Sequence, residues 1–446
     1  MPIRSTHIDR RFLLLLIAWG IVDLVCAMLC EIHADEAYYR LYGQFLDWGY
    51  FDHPPMVALL TRASDALVCG SSLIAKNLSV RLMTVLLHIA TMVLIWKTID
   101  TSKITKNVEA FFIICGSMVM FSAYGFITAP DAPLLFFAAL FFYSYKRYLQ
   151  TPSWSLSLLL GIAMAGMVYS KYMAVLVIGF VIISNLRLMK DVRLWGSVLF
   201  ALALLTPHFY WQYSHHFPSM TCQLVGRATA WHRIYSLEYL PNQLVVFNPI
   251  AFVWMWIIAI RSFFHRDAFT RALIWQFVGF ELFFAIMTLR GHVEPHWTMV
   301  ASIPVILLLM SEWEKAAKWL RYSMVVCLIL VCIARVVLMA NVLPERTGLA
   351  NKQPYYEAMH EVSEGLPIVL DGSFQRPSLY MFYYPKEQIA LVRQPWDPYN
   401  QFHLWNFASK LEGKPVCVLR YDNSATQVTC RGYVFHKKIV SSFSIN

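Results

Sequence analysis

The sequence predicts a polytopic α-helical membrane protein of about eleven spans, followed by a small soluble α/β domain. Of its 446 residues, 58% are hydrophobic and only 14% are charged, whereas soluble domains carry about 25% charged residues. The mean hydropathy of +0.51 comes from apolar segments of roughly 18 residues or more, long enough to cross a bilayer. The net charge of +10 lies between these segments, so we expect no nucleic-acid partner.

The apolar segments follow one another with short polar connections, as in a helical bundle. They lie near residues 12–30, 79–97, 108–126, 131–148, 154–170, 172–187, 194–210, 245–261, 271–289, 298–311 and 322–341. The domain in which they lie is expected to cover residues 1–341.

The distribution of Lys and Arg predicts the orientation of the bundle. On one side every connection carries at least two basic residues, near 4–11, 97–106, 146–147, 187–193, 261–271 and 315–321. That side is predicted to be cytoplasmic. The N-terminus is then cytoplasmic, and an odd number of spans places the C-terminal domain outside.

Residues 342–446 change in character, because short strand and helix patterns alternate there. Helices are expected near 354–366, 376–384 and 401–414. Strands are expected near 367–372, 387–392 and 415–421, followed by a pair of strands across 428–443. The pattern predicts an α/β domain. Its two cysteines, Cys417 and Cys430, could form a disulfide across adjacent strands or remain buried thiols, and the sequence leaves both open.

The first outer loop, residues 31–78, combines acidic and aromatic side chains. Asp35 and Glu36 stand near its start, and Asp52 and His53 follow a short helical pattern. That pattern spaces apolar residues at i, i+3, i+4, i+7 and i+8, which predicts a helix with one face on a membrane or core. Its apolar positions are Tyr38, Leu41, Tyr42, Phe45 and Leu46.

Further polar clusters fall on the same predicted side of the membrane, around Asp131, Lys171 and the stretch from Arg290 to His296. In lipid each such group would be costly, so we expect them to line a polar chamber. A carboxylate placed there can accept a proton from an attacking hydroxyl, and cations can neutralise a departing phosphate.

The order of the motifs ADEAYY, GYFDHPPM, PDAPLLFF, SKYMAVL, PHFYWQY and EPHW along the chain resembles the lipid-linked-sugar glycosyltransferases of the GT-C fold. More narrowly, it resembles the bacterial branch of the protein mannosyltransferase superfamily, which includes the lipid A aminoarabinose transferases. The resemblance implies a polyprenyl-phosphate sugar donor, membrane lipid around the bundle, and inverting transfer to a lipid, glycan or protein acceptor. It also implies the inner membrane of a bacterium, with the transfer and the C-terminal domain on its periplasmic face.

The resemblance also implies roles for three acids. Asp35 corresponds to the family's general base or to a carboxylate that orients the acceptor, and Glu36 supports it. Asp35 could also cap the helix that starts at Glu36. Asp131 matches a second acidic position, where capping between two prolines is the alternative.

For the donor phosphate, the resemblance implies Lys171 and Arg290. His53 stands where the aminoarabinose transferases have Lys, which would make phosphate binding sensitive to pH. Asp52, His53 and His296 are the candidate ligands for a divalent metal. Protein cations alone suffice for a phosphate leaving group, so no cofactor is expected to be required.

Ionisable residues inside the spans keep a second interpretation open, a lipid or sugar transporter of the envelope. Asp23 and Glu281 lie deep in their segments and need partners, and Arg335 is close enough to a segment end to extend toward water. A transporter would concentrate such groups near the midplane and show repeated halves.

Overall fold

The computed structural model of the chain describes residues 9–99, 107–223, 231–265, 267–344, 350–394, 397, 399–420 and 425–444. Part of the basic connections, at 1–8, 100–106 and 266, therefore lies outside the described residues.

The transmembrane part consists of α-helices joined by short turns. They are α1 (Arg10–Leu29), α2 (Ala34–Gln44), α3 (Met56–Leu67), α4 (Leu73–Thr98), α5 (Val108–Ser117), α6 (Val119–Ala123), α7 (Asp131–Gln150), α8 (Trp154–Ser170), α9 (Ala174–Ser184), α10 (Val192–Ser214), α11 (Pro218–Thr221), α12 (Arg233–Phe247), α13 (Pro249–Ser262), α14 (Ala268–Met287), α15 (Ser302–Glu312) and α16 (Lys318–Ala340). Short 3₁₀ segments connect some of them, including Leu186–Lys190 and Pro295–Ala301.

Each predicted span coincides with helical structure, so the chain is a multi-pass membrane protein. Within the described residues, six helices are long and apolar enough to cross a bilayer, or seven if a bent pair counts as one span. The predicted number of about eleven is therefore not confirmed.

The bent pair is α12 and α13, which meet at 100° near the start of the span predicted at 245–261. Asn248, at the bend, has φ 65° and ψ 151°, a strained combination that is rare outside glycine. Its side chain accepts a hydrogen bond from the Ala251 amide and donates one to the Ser117 carbonyl. The bend is thus capped and tied to α5.

The C-terminal part contains α17 (Gln353–Ser363), α18 (Gln375–Tyr383) and α19 (Gln401–Trp405) around a five-stranded sheet. The strands are β1 (Ile368–Leu370), β2 (Ile389–Leu391), β3 (Val416–Leu419), β4 (Thr426–Cys430) and β5 (Tyr433–Val440), in the order β2-β1-β3-β5-β4. β1 pairs in parallel with β2 and β3, and β5 runs antiparallel to β3 and β4. The predicted helix at 401–414 is shorter, because Asn406 has φ 49° and ends α19.

The two cysteines of this sheet are both free thiols. Cys417 lies on β3 and Cys430 on β4, and β5 separates these strands. The arrangement excludes the disulfide across adjacent strands that the sequence left open.

The first outer loop packs against the C-terminal part rather than against lipid. α2 buries Tyr38, Leu41 and Tyr42 in one apolar cluster with residues of α3 and α18. The predicted helical face is too long, because α2 ends at Gln44 and leaves Phe45 and Leu46 exposed.

Candidate active site

A cavity of about 880 Å³ lies where the first outer loop, the ends of several spans and the C-terminal part meet. Part of its lining is apolar and includes Met120, Phe126, Leu176 and Phe283. The lining also carries ionisable side chains, among them Glu31, His33, Asp35, Glu36, His53, Arg81, Asp131, Lys171, Arg290, His292, Glu294, His296 and Lys352. A lining that combines apolar and charged side chains suits a ligand with a lipid tail and a polar head.

Asp35 lies in the first turn of α2 and lines the cavity. It is not the helix cap, because α2 begins at Ala34 and the His33 ring accepts the hydrogen bond from the Asp35 amide. Its side chain is 39% exposed and lies 3.6 Å from the His33 ring nitrogen. The enclosing walls withdraw water from the carboxylate and raise the pKa of Asp35 above its usual value. A raised pKa makes Asp35 a better proton acceptor.

Glu36 is buried and holds the loop in place. Its Oε1 and Oε2 accept from Arg81 at 2.7 and 2.6 Å, and its oxygens also accept from the amides of Thr128 and His33 at 2.8 and 3.0 Å. Burial alone would raise the pKa of Glu36, but Arg81 and the two backbone amides keep this pKa below its usual value. With its oxygens engaged, Glu36 positions Asp35 and is poorly placed to take a proton itself.

Arg81 is the principal structural residue that sequence reasoning missed. It is 1% exposed, on α4, and also donates to the carbonyls of Ala27, Cys30 and Glu31. These bonds satisfy the C-terminal carbonyls of α1 and fix the turn into α2. A lone arginine in an apolar segment was the available signal, because such a residue needs a buried partner.

Asp131 and Lys171 form a buried ion pair across the cavity wall. The Lys171 ammonium donates to both carboxylate oxygens of Asp131, at 2.9 and 2.7 Å, and the His296 ring lies 3.9 Å from the same carboxylate. Lys171 follows α8 and Asp131 begins α7, so two predicted site residues forty positions apart are brought together.

Asp52 and His53 do not assemble a metal site with His296. The Tyr42 hydroxyl donates to Asp52, while His53 lies 3.3 Å from the Tyr39 hydroxyl. Among the described residues, no three His, Cys, Asp or Glu side chains are close enough to hold a metal ion. The predicted ligand set therefore does not fit a metal, although His53 does line the cavity.

Two further cations reach the cavity. Arg290 is exposed to it, as the sequence predicted, and makes no side-chain hydrogen bond to any described residue. Lys352, from the C-terminal part, was not predicted; its ammonium donates to the Ile32 carbonyl at 3.2 Å. Burial lowers the pKa of Lys352 despite the nearby Glu31 carboxylate. The local sequence does not distinguish Lys352 from other surface lysines. Only the packing of the C-terminal part against the transmembrane part places Lys352 at the cavity.

The ionisable residues within the spans have partners in the bundle. Arg335 donates to Asp23 at 2.7 Å and to the Ser122 carbonyl, so it pairs inside the bundle instead of extending toward water as expected. The Tyr239 hydroxyl donates to Glu281. These contacts join neighbouring helices and favour a structural role.

Solved structures and a family model are similar to this chain. Over 96% of its length the chain superposes on ArnT from Cupriavidus metallidurans, with a TM-score of 0.67 for the apo state and 0.64 for the state bound to undecaprenyl phosphate. Both comparisons cover 98% of ArnT at 14% identity, so they show the fold alone. A family model for dolichyl-phosphate-mannose-protein mannosyltransferases matches residues 52–211. These findings confirm the resemblance drawn from the sequence and support a bacterial GT-C glycosyltransferase.

Two curated relatives make the comparison more specific. Lipid A galacturonosyltransferase RgtD of Rhizobium johnstonii is 26% identical over 309 residues, which are 65% of this chain and 63% of RgtD. Lipopolysaccharide core galacturonosyltransferase RgtA of the same organism is 26% identical over 219 residues, 47% of this chain and 43% of RgtA. The matched region thus spans less than two thirds of either relative.

Proposed function

We propose that this protein is an inverting glycosyltransferase that moves a sugar from a polyprenyl-phosphate donor to a hydroxyl group of an envelope acceptor. The observation that carries the proposal is the cavity in which the half-exposed Asp35 carboxylate shares the walls with Lys171 and Arg290. Its volume of about 880 Å³ lies within the range of ligand pockets.

Asp35 acts as the general base. It takes the proton of the acceptor hydroxyl while that oxygen attacks the anomeric carbon from the face opposite the phosphate. The new glycosidic bond forms as the bond to the phosphate oxygen breaks, so the anomeric configuration inverts and the polyprenyl phosphate leaves as an anion. Glu36 and Arg81 keep the base in position.

Lys171 and Arg290 bind the donor phosphate and stabilise the charge that develops on it. Arg290 can present two N–H groups to phosphate oxygens. Lys171 donates to Asp131, so donor binding would exchange one anionic partner of the ammonium for another. Asp131 thereby holds the ammonium in the cavity wall.

The donor and acceptor classes are also proposed. The undecaprenyl phosphate in the ArnT structure favours a polyprenyl carrier, and the names of RgtD and RgtA favour a lipid A or lipopolysaccharide core acceptor over a protein. The basic connections, at the other end of the bundle from the cavity, support transfer on the periplasmic face of the inner membrane.

The test is transfer of labelled sugar from a panel of polyprenyl-phosphate donors to lipid A or core acceptors in proteoliposomes. We expect the wild type to form product and Asp35→Asn to react at least about a hundredfold more slowly, since general-base catalysis accelerates a reaction by about 10²–10⁴-fold. Asp47→Asn, in the same loop but outside the cavity lining, should retain wild-type activity.

The pH profile adds a second measurement. Asp35 must be ionised to accept the proton, so the rate should fall as pH decreases through the pKa of Asp35, which burial raises above the usual value for aspartate. The residual activity of Asp35→Asn should lack this acidic limb. If wild type and variant instead moved label across the bilayer without attaching it to an acceptor, the protein would be a transporter.

A further inference from the structure

A second cavity lies at the opposite end of the helical bundle from the active-site cavity. It is a shallow depression of about 510 Å³ that is largely open to the surface, and it is lined by Trp154, Arg187, Lys190, Asp191, Val192 and Arg193. Trp154 begins α8, and Lys171 follows the end of the same helix. The seventeen residues of α8 span about 25 Å, so the cavity has no part in the proposed transfer reaction.

Two of its cations are available to a ligand. Arg187 and Lys190 lie on the 3₁₀ segment Leu186–Lys190, in which side chains three residues apart eclipse each other. Both are exposed, and neither makes a side-chain hydrogen bond or ion pair to any residue that the structure describes. The local geometry therefore presents two positive charges on one edge.

The acidic residue of the cavity does not neutralise this pair. The Asp191 carboxylate accepts from the Arg193 amide at the start of α10, from the Tyr148 hydroxyl at 2.5 Å and from the Arg193 side chain at 3.4 Å. Arg193 also donates to the Pro152 carbonyl. These two residues therefore satisfy each other and the backbone, and leave Arg187 and Lys190 to attract an external anion.

The surroundings are those of a membrane interface. Trp154 and Trp195 are 58% and 46% exposed, and Val192 and Leu186 are 71% and 66% exposed. The Trp195 indole donates to the Met189 carbonyl, which fixes the 3₁₀ segment against α10. Exposed tryptophans are typical of the headgroup level, with acyl chains on one side and water on the other.

We propose that this cavity binds the phosphate group of an anionic phospholipid in the leaflet opposite the active site. Arg187 and Lys190 contact the phosphate oxygens, the indole of Trp154 lies beside the glycerol region, and the acyl chains follow the exposed apolar surface of α10. A free phosphate would use the two cations alone, whereas the apolar rim suits a ligand with acyl chains. This inference is independent of the proposed transferase activity.

The test is the melting temperature of the purified full-length chain in neutral detergent, titrated with short-chain phosphatidylglycerol. Ligand binding to the folded state raises the melting temperature and yields an apparent affinity. Each basic residue near an anionic lipid surface contributes ~1 kcal/mol. We therefore expect Arg187→Gln/Lys190→Gln to bind about thirtyfold more weakly than wild type, since ~1.4 kcal/mol is tenfold. Short-chain phosphatidylcholine should produce no comparable shift.

The matched control is Lys318→Gln/Arg321→Gln. These residues lie in the first turn of α16, at the same end of the bundle but outside the cavity, and we expect wild-type affinity. An equal loss in both double variants would overturn the proposal in favour of unspecific surface charge, and a full shift with inorganic phosphate alone would overturn it in favour of a free anion. Should the double variant not fold, each single variant must lose part of the affinity, and retention by both would refute the site.

Discussion

At the residue scale, two adjacent acids have opposite environments although the sequence presents them as a pair. Successive helical residues point about 100° apart, so Asp35 faces the cavity while Glu36 faces Arg81. The result is one carboxylate that is half-exposed and one that is 1% exposed with a buried guanidinium partner. Asp35 is thereby left facing the cavity, while its neighbour Glu36 anchors the loop.

Replacing Glu36 should destabilise the fold more than replacing Asp35. In Glu36→Gln the Arg81 charge stays buried without a counter-charge, which we expect to lower the free energy of unfolding by about 3–5 kcal/mol. Asp35→Asn, at a half-exposed position, should change it by less than about 1 kcal/mol. Unfolding by sodium dodecyl sulfate in mixed micelles measures both.

Equal stabilities of the two variants would contradict the anchoring role of Glu36. Asp35→Asn serves as the control for the loss of a carboxylate in the same turn of α2, because the two substitutions remove the same charge one residue apart.

At the element scale, α2 connects the transmembrane part with the C-terminal part. The Tyr38 ring stacks on Phe374 with centroids 4.1 Å apart, and its hydroxyl accepts a hydrogen bond from the Gln401 amide at 2.9 Å. The Tyr383 hydroxyl also donates to Glu31. This packing explains how Lys352 is carried to the wall of the cavity, and it makes the C-terminal part a roof for the site.

Tyr38 should therefore be a main determinant of this docking. Tyr38→Ala removes a buried ring, and we expect it to cost about 3–5 kcal/mol of unfolding free energy. Tyr38→Phe keeps the stacking but leaves the backbone N–H of Gln401 without its acceptor. We expect this change to cost about 1–3 kcal/mol of unfolding free energy. The same micelle titration, together with limited proteolysis of the C-terminal part, measures the difference. A Tyr38→Ala protein as stable as Tyr38→Phe would show that the stack contributes nothing.

At the scale of the whole molecule, the two cavities lie at opposite ends of the bundle and should face opposite sides of the membrane. Cys69, between α3 and α4, is an exposed thiol at the end with the active-site cavity. In a background without other cysteines, a membrane-impermeant maleimide should label Cys69 on spheroplasts. A Lys190→Cys substitution combined with Cys69→Ser should react only after lysis. The reverse labelling pattern would invert the proposed orientation.

The sequence by itself determined the class of protein, the order of its main helices and strands, and several of the charged residues of the cavity. Apolar length and periodicity are local properties, so α1, α4, α16 and the five strands were predictable from neighbouring residues. Polar residues at span ends were recognisable for the same reason, since lipid makes each of them costly.

Only the tertiary structure decided which of these residues act together. Glu36 meets Arg81 forty-five positions away, Lys171 meets Asp131 forty positions away, and Lys352 reaches Ile32 across 320 positions. Periodicity defines which face a residue occupies but not the element that packs against it. Such contacts also determine the cap at His33, the bend at Asn248 and the separation of Cys417 from Cys430. They determine as well which acid of the site anchors the loop and which one faces the cavity.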